Sequence, residues 1–513
     1  MIAIDNYFKE YTLTLTTLSP LAIRSGESLS PLVDYHVENG LLYRIVSQKL
    51  FNTLIEKGKI KDFEAFIAKY VGNRETNEQS IRKNNLLKEF VESIGCKIED
   101  FYSLEVSPVN FDVPKDENRK AAKWIELNTF IKTKNKPYIP GAGIKGAIKT
   151  AILYYWLMTK AEGKQAINEF SNRLLDENNK NNKLKEIRKF ELEITQKIFG
   201  ETKDGKRTPS SNIKIADSIV FDSNALFVGQ LGKRYNISID TPENEFNPSF
   251  QECIKTGTIT EIDVCINKFE LDWKAMDQSS YLYSILRSGD ISIILKALKL
   301  FSSDFLDNEL DRIKSNSDLT ELYKKYKDIN EIRKKLKAHE ALLCLGFGKS
   351  YLINSVGLAI KKTNIDFYKK IVAKVFVYKK TKGEEKKRTN GENAALMQNF
   401  PTSFYYETSS NMPLGWCVLA DEKNQQQYLA SLEDSEIIDL TMLNIKEPIT
   451  GVLRTKDNPA TVDIQSTQGV ISCKVNGLKN FEKFNTALAI GDKCRILIVS
   501  IKDNQIKDAK FTK

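Results

Sequence analysis

The chain has 513 residues, of which 41% are hydrophobic and 28% are charged, and its formal net charge is +10. This balance is typical of globular proteins, and the length predicts two to four domains. No run of about 18 apolar residues occurs, and the alternating start MIAIDNYFKEYTLTL lacks the features of a secretory signal, so we expect neither a membrane span nor a leader.

The cysteine pattern argues against metal sites and disulfides. Seven cysteines occur, none of them in a C-x-x-C pair. An odd number without paired spacing is atypical of zinc knuckles and of disulfide frameworks. We therefore expect reduced, mostly buried cysteines in a cytoplasmic protein, with no metal and no cofactor.

The positive charge is concentrated in two segments. Residues 361–390 hold eleven Lys and Arg against three acidic residues, and residues 445–513 hold twelve against seven. Together they carry +13, which leaves about −3 for the remainder. Local basic patches indicate a polyanion partner such as RNA, although a lysine-rich solvated surface explains them equally well.

The first half predicts mixed strands and helices. Residues 9–18 alternate like a half-buried strand, and the Ser-, Gly- and Pro-rich segment SPLAIRSGESLSP predicts a turn. A hairpin turning at Asn39-Gly40 follows, and 47–95 have helical spacing. Further along come a strand and turn in WIELNTFIKTKNKPYIPG, a helix after the glycines near 141–146, charged helices over 160–200, and strands in IKIADSIVF and GTITEIDVCINKF.

The second half changes character twice. A helical tract is predicted over about 288–345, and it leads into the glycine cluster CLGFGKSYLINSVG. Segment 422–436 is polar and glutamine-rich, which predicts a linker. Five short strands then follow in ITGVLRT, ATVDIQS, GVISCKV, KCRILIVSI and QIKDAKF, and they favour a small OB-type barrel over an unrelated five-stranded domain.

These elements predict an α+β protein. The first half fits ferredoxin-like (RRM-like) β-α-β-β-α-β units with helical insertions, and the end adds an all-β barrel. We predict an N-terminal domain over 1–235, a second related domain with the helical tract and a basic loop over 236–421, the linker 422–436 and the barrel 437–513.

Two glycine motifs resemble nucleotide-binding loops. Gly141-Ala142-Gly143-Ile144-Lys145-Gly146 matches G-x-G-x-x-G, but Pro137 and Pro140 interrupt the approach. The acidic residue of a dinucleotide site would follow about 20 residues on at the end of a strand, where this sequence still predicts the helix. A helix that begins at such a turn still offers N–H groups to a phosphate, with Lys145 and Lys149 four residues apart on one face.

The second motif, Gly348-Lys349-Ser350, resembles the end of a phosphate-binding P-loop. Leu343 stands where the first glycine of that loop belongs, and the preceding residues are predicted as helix rather than strand. We therefore exclude a nucleotide hydrolase. A backbone approach to RNA or to a protein and a glycine cap of a helix both remain explanations.

A Ser-His-Asp or Cys-His site would have to use one of two histidines, His36 and His339. His36 follows Asp34 and shares the N-terminal region with Arg24, which suits metal-free cleavage of RNA by activation of a 2′-hydroxyl. A lone histidine on a strand is more often structural. We therefore assign no catalytic residue and keep an endoribonuclease that processes guide precursors with His36 as the alternative.

Four segments in order resemble the RAMP superfamily of type III CRISPR effector proteins. They are LSPLAIRSGESLSPLVDY (18–35), PYIPGAGIKGAIKTAIL (137–153), LCLGFGKSYLINSVG (343–357) and MPLGWCVL (412–419). Within the superfamily, the glycine loop and the L-G-W segment resemble the fifth subunits of Csm complexes. Ala142-Gly143 replaces the family's frequent Ser-Ser, Phe347 replaces a tryptophan, and the tail after about 420 is extra.

The resemblance implies ferredoxin-like units that bind guide RNA through glycine-rich loops. It assigns RNA contacts to a first loop, to the helix-opening turn and to a late loop, and the charge pattern adds a basic loop. The expected RNA-binding residues are Arg24, Ser25, Gly26, Glu27, Gly141, Gly143, Lys145, Gly146, Lys149, Gly346, Phe347, Gly348, Lys349, Ser350, Lys379, Lys380, Lys382, Lys386, Lys387 and Arg388.

The resemblance also implies a role and partners. The expected protein is a non-catalytic subunit of a type III-A (Csm) ribonucleoprotein that caps the 3′ end of the guide RNA (crRNA) and ends the backbone filament. Its expected partners are that RNA region, target RNA indirectly, neighbouring Csm backbone and small subunits, and host nucleases, with no membrane.

Overall fold

A computed structural model describes residues 8–71, 86–110, 126–175, 183–199, 209–235, 249–268, 281–314, 316, 319–376, 378–381, 384–422, 448–456, 459–466, 469–484, 488, 492–502 and 505–512. The chain forms two compact units, Met1–Leu419 and Ala420–Lys513. Among the helices of the described segments, none combines the length and the apolar character that a membrane span requires.

The strands are β1 Phe8–Thr17, β2 Arg24–Leu29, β3 Tyr35–Glu38, β4 Leu41–Ile45, β5 Tyr102–Asn110, β6 Leu127–Phe130, β7 Lys132–Thr133, β8 Lys136–Pro137, β9 Ile213–Ile215, β10 Leu226–Tyr235, β11 Ser249–Ile254, β12 Ile259–Asn267, β13 Glu340–Cys344, β14 Tyr378–Thr381, β15 Glu384–Lys387, β16 Ser403–Glu407, β17 Met412–Pro413, β18 Trp416–Ala420, β19 Pro448–Thr455, β20 Ala460–Ser466, β21 Gly469–Asn476, β22 Lys493–Lys502 and β23 Gln505–Phe511.

The helices are α1 Ser47–Glu56, α2 Ile60–Val71, α3 Leu86–Ser93, α4 Gly141–Thr159, α5 Ala161–Leu175, α6 Lys183–Phe199, α7 Tyr281–Ser288, α8 Ile291–Ile313, α9 Thr320–Lys335, α10 Gly357–Thr363, α11 Ile365–Val375, α12 Asn390–Asn399 and α13 Leu478–Phe484.

A five-stranded sheet in the order β13-β18-β1-β12-β9 organises the first unit. Leu13 and Leu15 of β1 are fully buried because alternate residues of a strand share one face. They join a core that contains Trp156 of α4 and Leu298 of α8. Strand β1 pairs antiparallel with β12 along its length. This pairing joins segments on either side of the domain boundary predicted at 235/236, and that boundary stays a prediction.

A second sheet in the order β2-β6-β11-β10-β5-β4-β3 carries a buried ionic cluster. The Glu252 side chain is fully buried, and its carboxylate lies 2.6 Å from Arg44 Nη2 and 3.1 Å from Lys132 Nζ. The Phe130 N–H donates to its second oxygen at 2.9 Å. Burial alone raises a carboxyl pKa, but the two cations and the N–H hold the pKa of Glu252 below its ordinary value.

Glycine allows three chain segments to meet beside the five-stranded sheet. Gly415 has φ +78°, and a Cβ there would lie 2.0 Å from the Leu345 carbonyl oxygen. The Leu345 N–H donates to the Gly415 oxygen at 2.8 Å, and the Gly415 N–H donates to the Pro20 oxygen at 2.9 Å. Trp416 is fixed next to them because its N–H donates to Ser19 Oγ at 2.9 Å.

The second unit contains a closed barrel of β19, β20, β21, β23 and β22. Val462, Ile464, Val475 and Ile496 are fully buried in its own hydrophobic core. The five tail strands predicted from the sequence coincide with these strands. The predicted linker 422–436 lies, apart from Glu422, outside the described residues.

Several sequence predictions are wrong in detail. SPLAIRSGESLSP was predicted as a turn, but it contains strand β2, whose pairing with β6 shifts register between Arg24 and Ser28. The helical tract predicted to 345 ends earlier, and β13 occupies Glu340–Cys344. Residues 341–344 are buried throughout, and a short apolar run of this kind has no periodicity that separates strand from helix.

The basic segment predicted as a loop forms the β14–β15 hairpin, and α12 follows it directly. Thr389 and Glu392 form a capping box at the start of this helix. The spacing Thr-x-x-Glu is a recognised signal for the start of a helix, so the sequence could have predicted this helix in place of a loop.

Replacing Gly415 with alanine tests the close approach of the backbones. We expect Gly415→Ala to lower the unfolding free energy of the first unit by more than the ~1–3 kcal/mol of left-handed strain, because the Leu345 carbonyl must also move. All four tryptophans, Trp124, Trp156, Trp273 and Trp416, precede residue 420, so tryptophan fluorescence during denaturant unfolding follows this unit selectively.

Gly257→Ala is the matched control. Gly257 has nearly the same φ, +79°, but a Cβ there meets nothing within 4 Å, so this variant reports backbone strain alone. Equal losses in the two variants would show that the Leu345 contact contributes nothing.

Candidate nucleic-acid interface

The predicted first loop lies on the surface of the second sheet. Arg24, Ser25, Gly26 and Glu27 are all exposed. Gly26 has φ +95°, and it lies within the register shift of β2, where three residues of β2 lie opposite one residue of β6 and such an insertion bends the strand. Ser25 Oγ is 2.6 Å from Thr129 Oγ1 of β6 and accepts the Glu27 N–H at 2.9 Å. The loop is therefore held in one shape by its own hydrogen bonds.

The Arg24 guanidinium is fixed on three sides. Its Nε donates to Gln251 Oε1 at 3.0 Å, and its Nη2 donates to Ser249 Oγ at 3.1 Å. Its Cζ lies 4.0 Å from the centre of the Phe347 ring, a cation–π distance. Arg24 is thus a positioned cation at the surface.

The late loop packs directly on the first loop. A Cβ at Gly346, whose φ is +73°, would lie 2.2 Å from the Ala22 oxygen, and the Phe347 N–H donates to that oxygen at 2.7 Å. Gly348, with φ +89°, leaves room for the Leu414 side chain. Lys349 and Ser350 follow as half-buried residues, so the structure brings the two predicted loops together.

The helix-opening turn has a different environment. Gly141 is buried, and a Cβ there would lie 2.3 Å from the Ile215 oxygen. Its N–H donates to Asp217 Oδ1 at 2.8 Å, so a carboxylate of the chain already occupies this helix start. Gly143 and Gly146 are exposed, and a Cβ at either meets nothing within 4 Å. The contacts of this turn run to residues 215–217 rather than to the first loop.

Lys145 and Lys149 of α4 are both half-buried. Burial lowers the pKa of Lys145, and the nearby charge of Lys149 lowers it further. The Lys149 Nζ lies 4.7 Å from the Phe199 ring centre. The two ammonium groups therefore form a local concentration of positive charge beside the exposed glycines.

The basic hairpin is described in part. Lys379 and Lys380 lie on β14, and Lys386 and Lys387 lie on β15, with Lys387 exposed. The Arg388 Nε donates to the Phe376 oxygen at 3.1 Å. Lys382 lies outside the described residues.

The histidine of the nuclease alternative is buried. His36 is 2% exposed on β3, and burial lowers its pKa because a charged imidazole loses hydration there. Asp34 accepts the Ser30 N–H at 2.8 Å, as a turn carboxylate does. Across the described segments, no group of three or more His, Cys, Asp or Glu side chains is arranged to hold a metal ion.

Two further residues, which no sequence motif marks, extend the contact of the two loops. Tyr405 of β16 is half-buried, and its ring centre lies 5.2 Å from that of Phe347. Lys233 of β10 is exposed, and its Nζ lies 5.7 Å from the Tyr405 ring centre. These two residues are register partners in the β10–β16 pair, and a pairing between distant segments leaves no local pattern in a sequence.

Comparisons with known proteins agree with these motifs. The chain is 26% identical over 262 residues to the CRISPR protein Csm5 of Streptococcus thermophilus, covering 50% of this chain and 64% of the relative. It is 30% identical over 137 residues to Csm5 of Methanocaldococcus jannaschii, covering 27% and 29%. The alignments thus span less than two thirds of either relative.

Two solved structures share the fold. One is a chain in the cryo-EM structure of a type III-A Csm–crRNA–target RNA ternary complex, with TM-score 0.55 and 20% identity, covering 80% of this chain and 100% of that one. The other is the crystal structure of T. onnurineus Csm5, with TM-score 0.53 and 18% identity, covering 79% and 99%.

The family model that matches the chain is the RAMP superfamily, and it matches residues 14–435. That range contains the first loop, the helix-opening turn, the late loop and the L-G-W segment. This chain belongs to the RAMP superfamily.

Proposed function

We propose that the chain is a non-catalytic, RNA-binding subunit of a type III-A Csm ribonucleoprotein. In this role it caps the 3′ end of the guide RNA and ends the backbone filament. Its partners are the guide RNA, a neighbouring backbone subunit, small subunits and, through the guide, target RNA, with host nucleases recruited to the complex. The relatives that it matches are Csm5 proteins, which supports its place in a Csm complex.

The observation that supports RNA binding most strongly is the meeting of the first and late loops. Arg24 is held by Gln251 and Ser249 beside Phe347, and the loops expose backbone at Gly26. Positioned cations and accessible backbone suit recognition of RNA by its phosphates and shape rather than by base identity.

Finer features of the fold belong to the same proposal. The first unit would comprise two ferredoxin-like domains, 1–235 and 236–421. The barrel of the second unit would be an OB-type domain over 437–513. Its strand order and the position of α13 between β21 and β22 support that type, which binds oligonucleotides in several families.

A cleavage assay distinguishes the subunit from a nuclease. We expect the purified chain to leave labelled repeat RNA intact without metal, and His36→Ala to behave identically, because a buried imidazole without access to solvent is poorly placed to exchange protons with RNA. Gel analysis of the RNA provides the measurement. Metal-free cleavage that His36→Ala abolishes would instead establish the endoribonuclease.

Charge reversal tests the helix-opening turn. We expect Lys145→Glu with Lys149→Glu to weaken guide RNA binding and to flatten its salt dependence by about 0.7 per lost phosphate contact. Fluorescence anisotropy at several salt concentrations measures both quantities. Lys61→Glu with Lys164→Glu changes the net charge equally at two exposed helix positions and controls for the overall field. Identical behaviour of the two double variants would refute a local role.

The barrel contributes less to RNA binding than the first unit in this proposal. Its exposed cations include Lys474, Arg495 and Lys510, but its described aromatic pair, Phe481 and Phe511, is half-buried with ring centres 5.7 Å apart. Few stacking surfaces imply weak affinity for single strands, since each stacked base contributes ~1–3 kcal/mol. We favour protein docking or auxiliary electrostatic contact for this unit.

Removing the barrel tests that division. We expect deletion of 437–513 to leave a first unit that folds and still retains guide RNA, measured as RNA recovered with the purified complex. The separate barrel, which has its own core, should bind single-stranded RNA weakly and release it at moderate salt. Loss of guide RNA on deletion, or salt-resistant binding by the barrel, would reverse the assignment.

A further inference from the structure

Four side chains from distant segments form one continuous row on the second sheet. Arg24 lies over the Phe347 ring at 4.0 Å, the Phe347 ring meets the Tyr405 ring edge to face with centres 5.2 Å apart, and Lys233 lies 5.7 Å from the Tyr405 ring centre. The two cations at the ends are exposed, and the two rings between them are half-buried. We call these four residues the cation–aromatic row.

Packing accounts for part of the row. Phe347 and Tyr405 cover a small apolar cluster that contains Ala22, Phe227, Leu231, Cys253 and Leu414. This role explains why the inner faces of the rings are apolar and buried. It leaves unexplained why the surface end of the row is a guanidinium that two polar side chains hold over a ring.

The restraint on Arg24 is informative because an exposed arginine ordinarily samples many rotamers. Gln251 is fully buried and Ser249 precedes it by two residues on β11, so the acceptors that hold Nε and Nη2 come from a rigid strand. The Arg24 Cζ lies over the Phe347 ring, and the residue is exposed to solvent. A guanidinium plane fixed in this way is a surface on which an unpaired base stacks.

We propose that the cation–aromatic row is a stacking site for single-stranded RNA, in which an unpaired base lies on the solvent side of the Arg24 guanidinium and Lys233 binds a neighbouring phosphate. This inference rests on the proposed RNA-binding function and adds the mode of contact. Stacking is tolerant of sequence because every base has a flat face, so the site accepts any guide sequence.

Arg24→Lys is the informative variant. It retains the positive charge but removes the planar group, so electrostatic attraction is kept while stacking is lost. The full-length chain is titrated with a short unstructured RNA and with an oligomer of the same length that has abasic sites. We expect Arg24→Lys to lose about fivefold or more in affinity for the RNA, the equivalent of ~1 kcal/mol, and to match the wild type on the abasic oligomer.

A second measurement reports stacking directly. In RNA that carries 2-aminopurine at successive positions, we expect the wild type to quench the fluorescence at one position or a few, and Arg24→Lys to restore it. Phe347→Leu keeps apolar cover over the cluster while removing the ring beneath Arg24, and it should show the same restoration. Lys61→Arg, at an exposed helix position, controls for exchange of one cation for another.

The outcomes separate the two proposals. Equal binding of the RNA and the abasic oligomer by the wild type, or unchanged RNA affinity and quenching in Arg24→Lys, would overturn the stacking site and leave RNA binding through phosphates in place. Failure of the wild-type chain to bind either oligomer would overturn the RNA-binding function and this inference together.

Discussion

The Phe347 N–H donates to the Ala22 carbonyl at 2.7 Å, and the meeting of the first and late loops depends on this contact between two segments far apart in sequence. It exists because Gly346 has no Cβ to strike the Ala22 oxygen. Gly415 allows an equally close approach to Leu345, so the late loop, the first loop and the start of β18 share one set of backbone hydrogen bonds. With these in place, the Phe347 ring lies beneath Arg24.

Three of the four residues of the cation–aromatic row lie on strands, and the fourth, Phe347, lies in the late loop. Arg24 belongs to β2, Lys233 to β10 and Tyr405 to β16, and their strands belong to one sheet system. Groups fixed in this way lose little conformational freedom when a ligand binds. The helix-opening turn differs, because Gly141 serves packing against Ile215 and Asp217 already accepts its N–H. Of the predicted motifs, the first and late loops therefore have the geometry of a contact surface, and Gly141 has that of an internal support.

Local signals predicted local structure well. Asn39-Gly40 specified its hairpin turn, where both residues have positive φ, and the five short strand candidates of the tail coincide with the barrel strands. The helix predicted up to residue 345 was wrong at β13, because both faces of this strand are buried around Leu342 and the sequence there shows no alternation. The motifs identified the loops, but nothing in the sequence could bring Lys233 opposite Tyr405, because that register arises from the pairing of β10 with β16.

The buried carboxylate of Glu252 makes the stability of the sheet beneath this surface depend on pH. Its pKa in the folded chain lies below the ordinary value, so folding favours the ionised form. That contribution to stability is present above the unfolded pKa and is lost as the pH falls through the folded pKa. Protonation would remove the buried one of the two carboxylates, Glu252 and Glu105, that pair with Arg44 and Lys132, and losing a buried counter-charge is costly for partly buried cations. Gln251, the acceptor for Arg24, is the adjacent residue on the same strand, so one strand carries both the ion cluster and the group that positions the guanidinium.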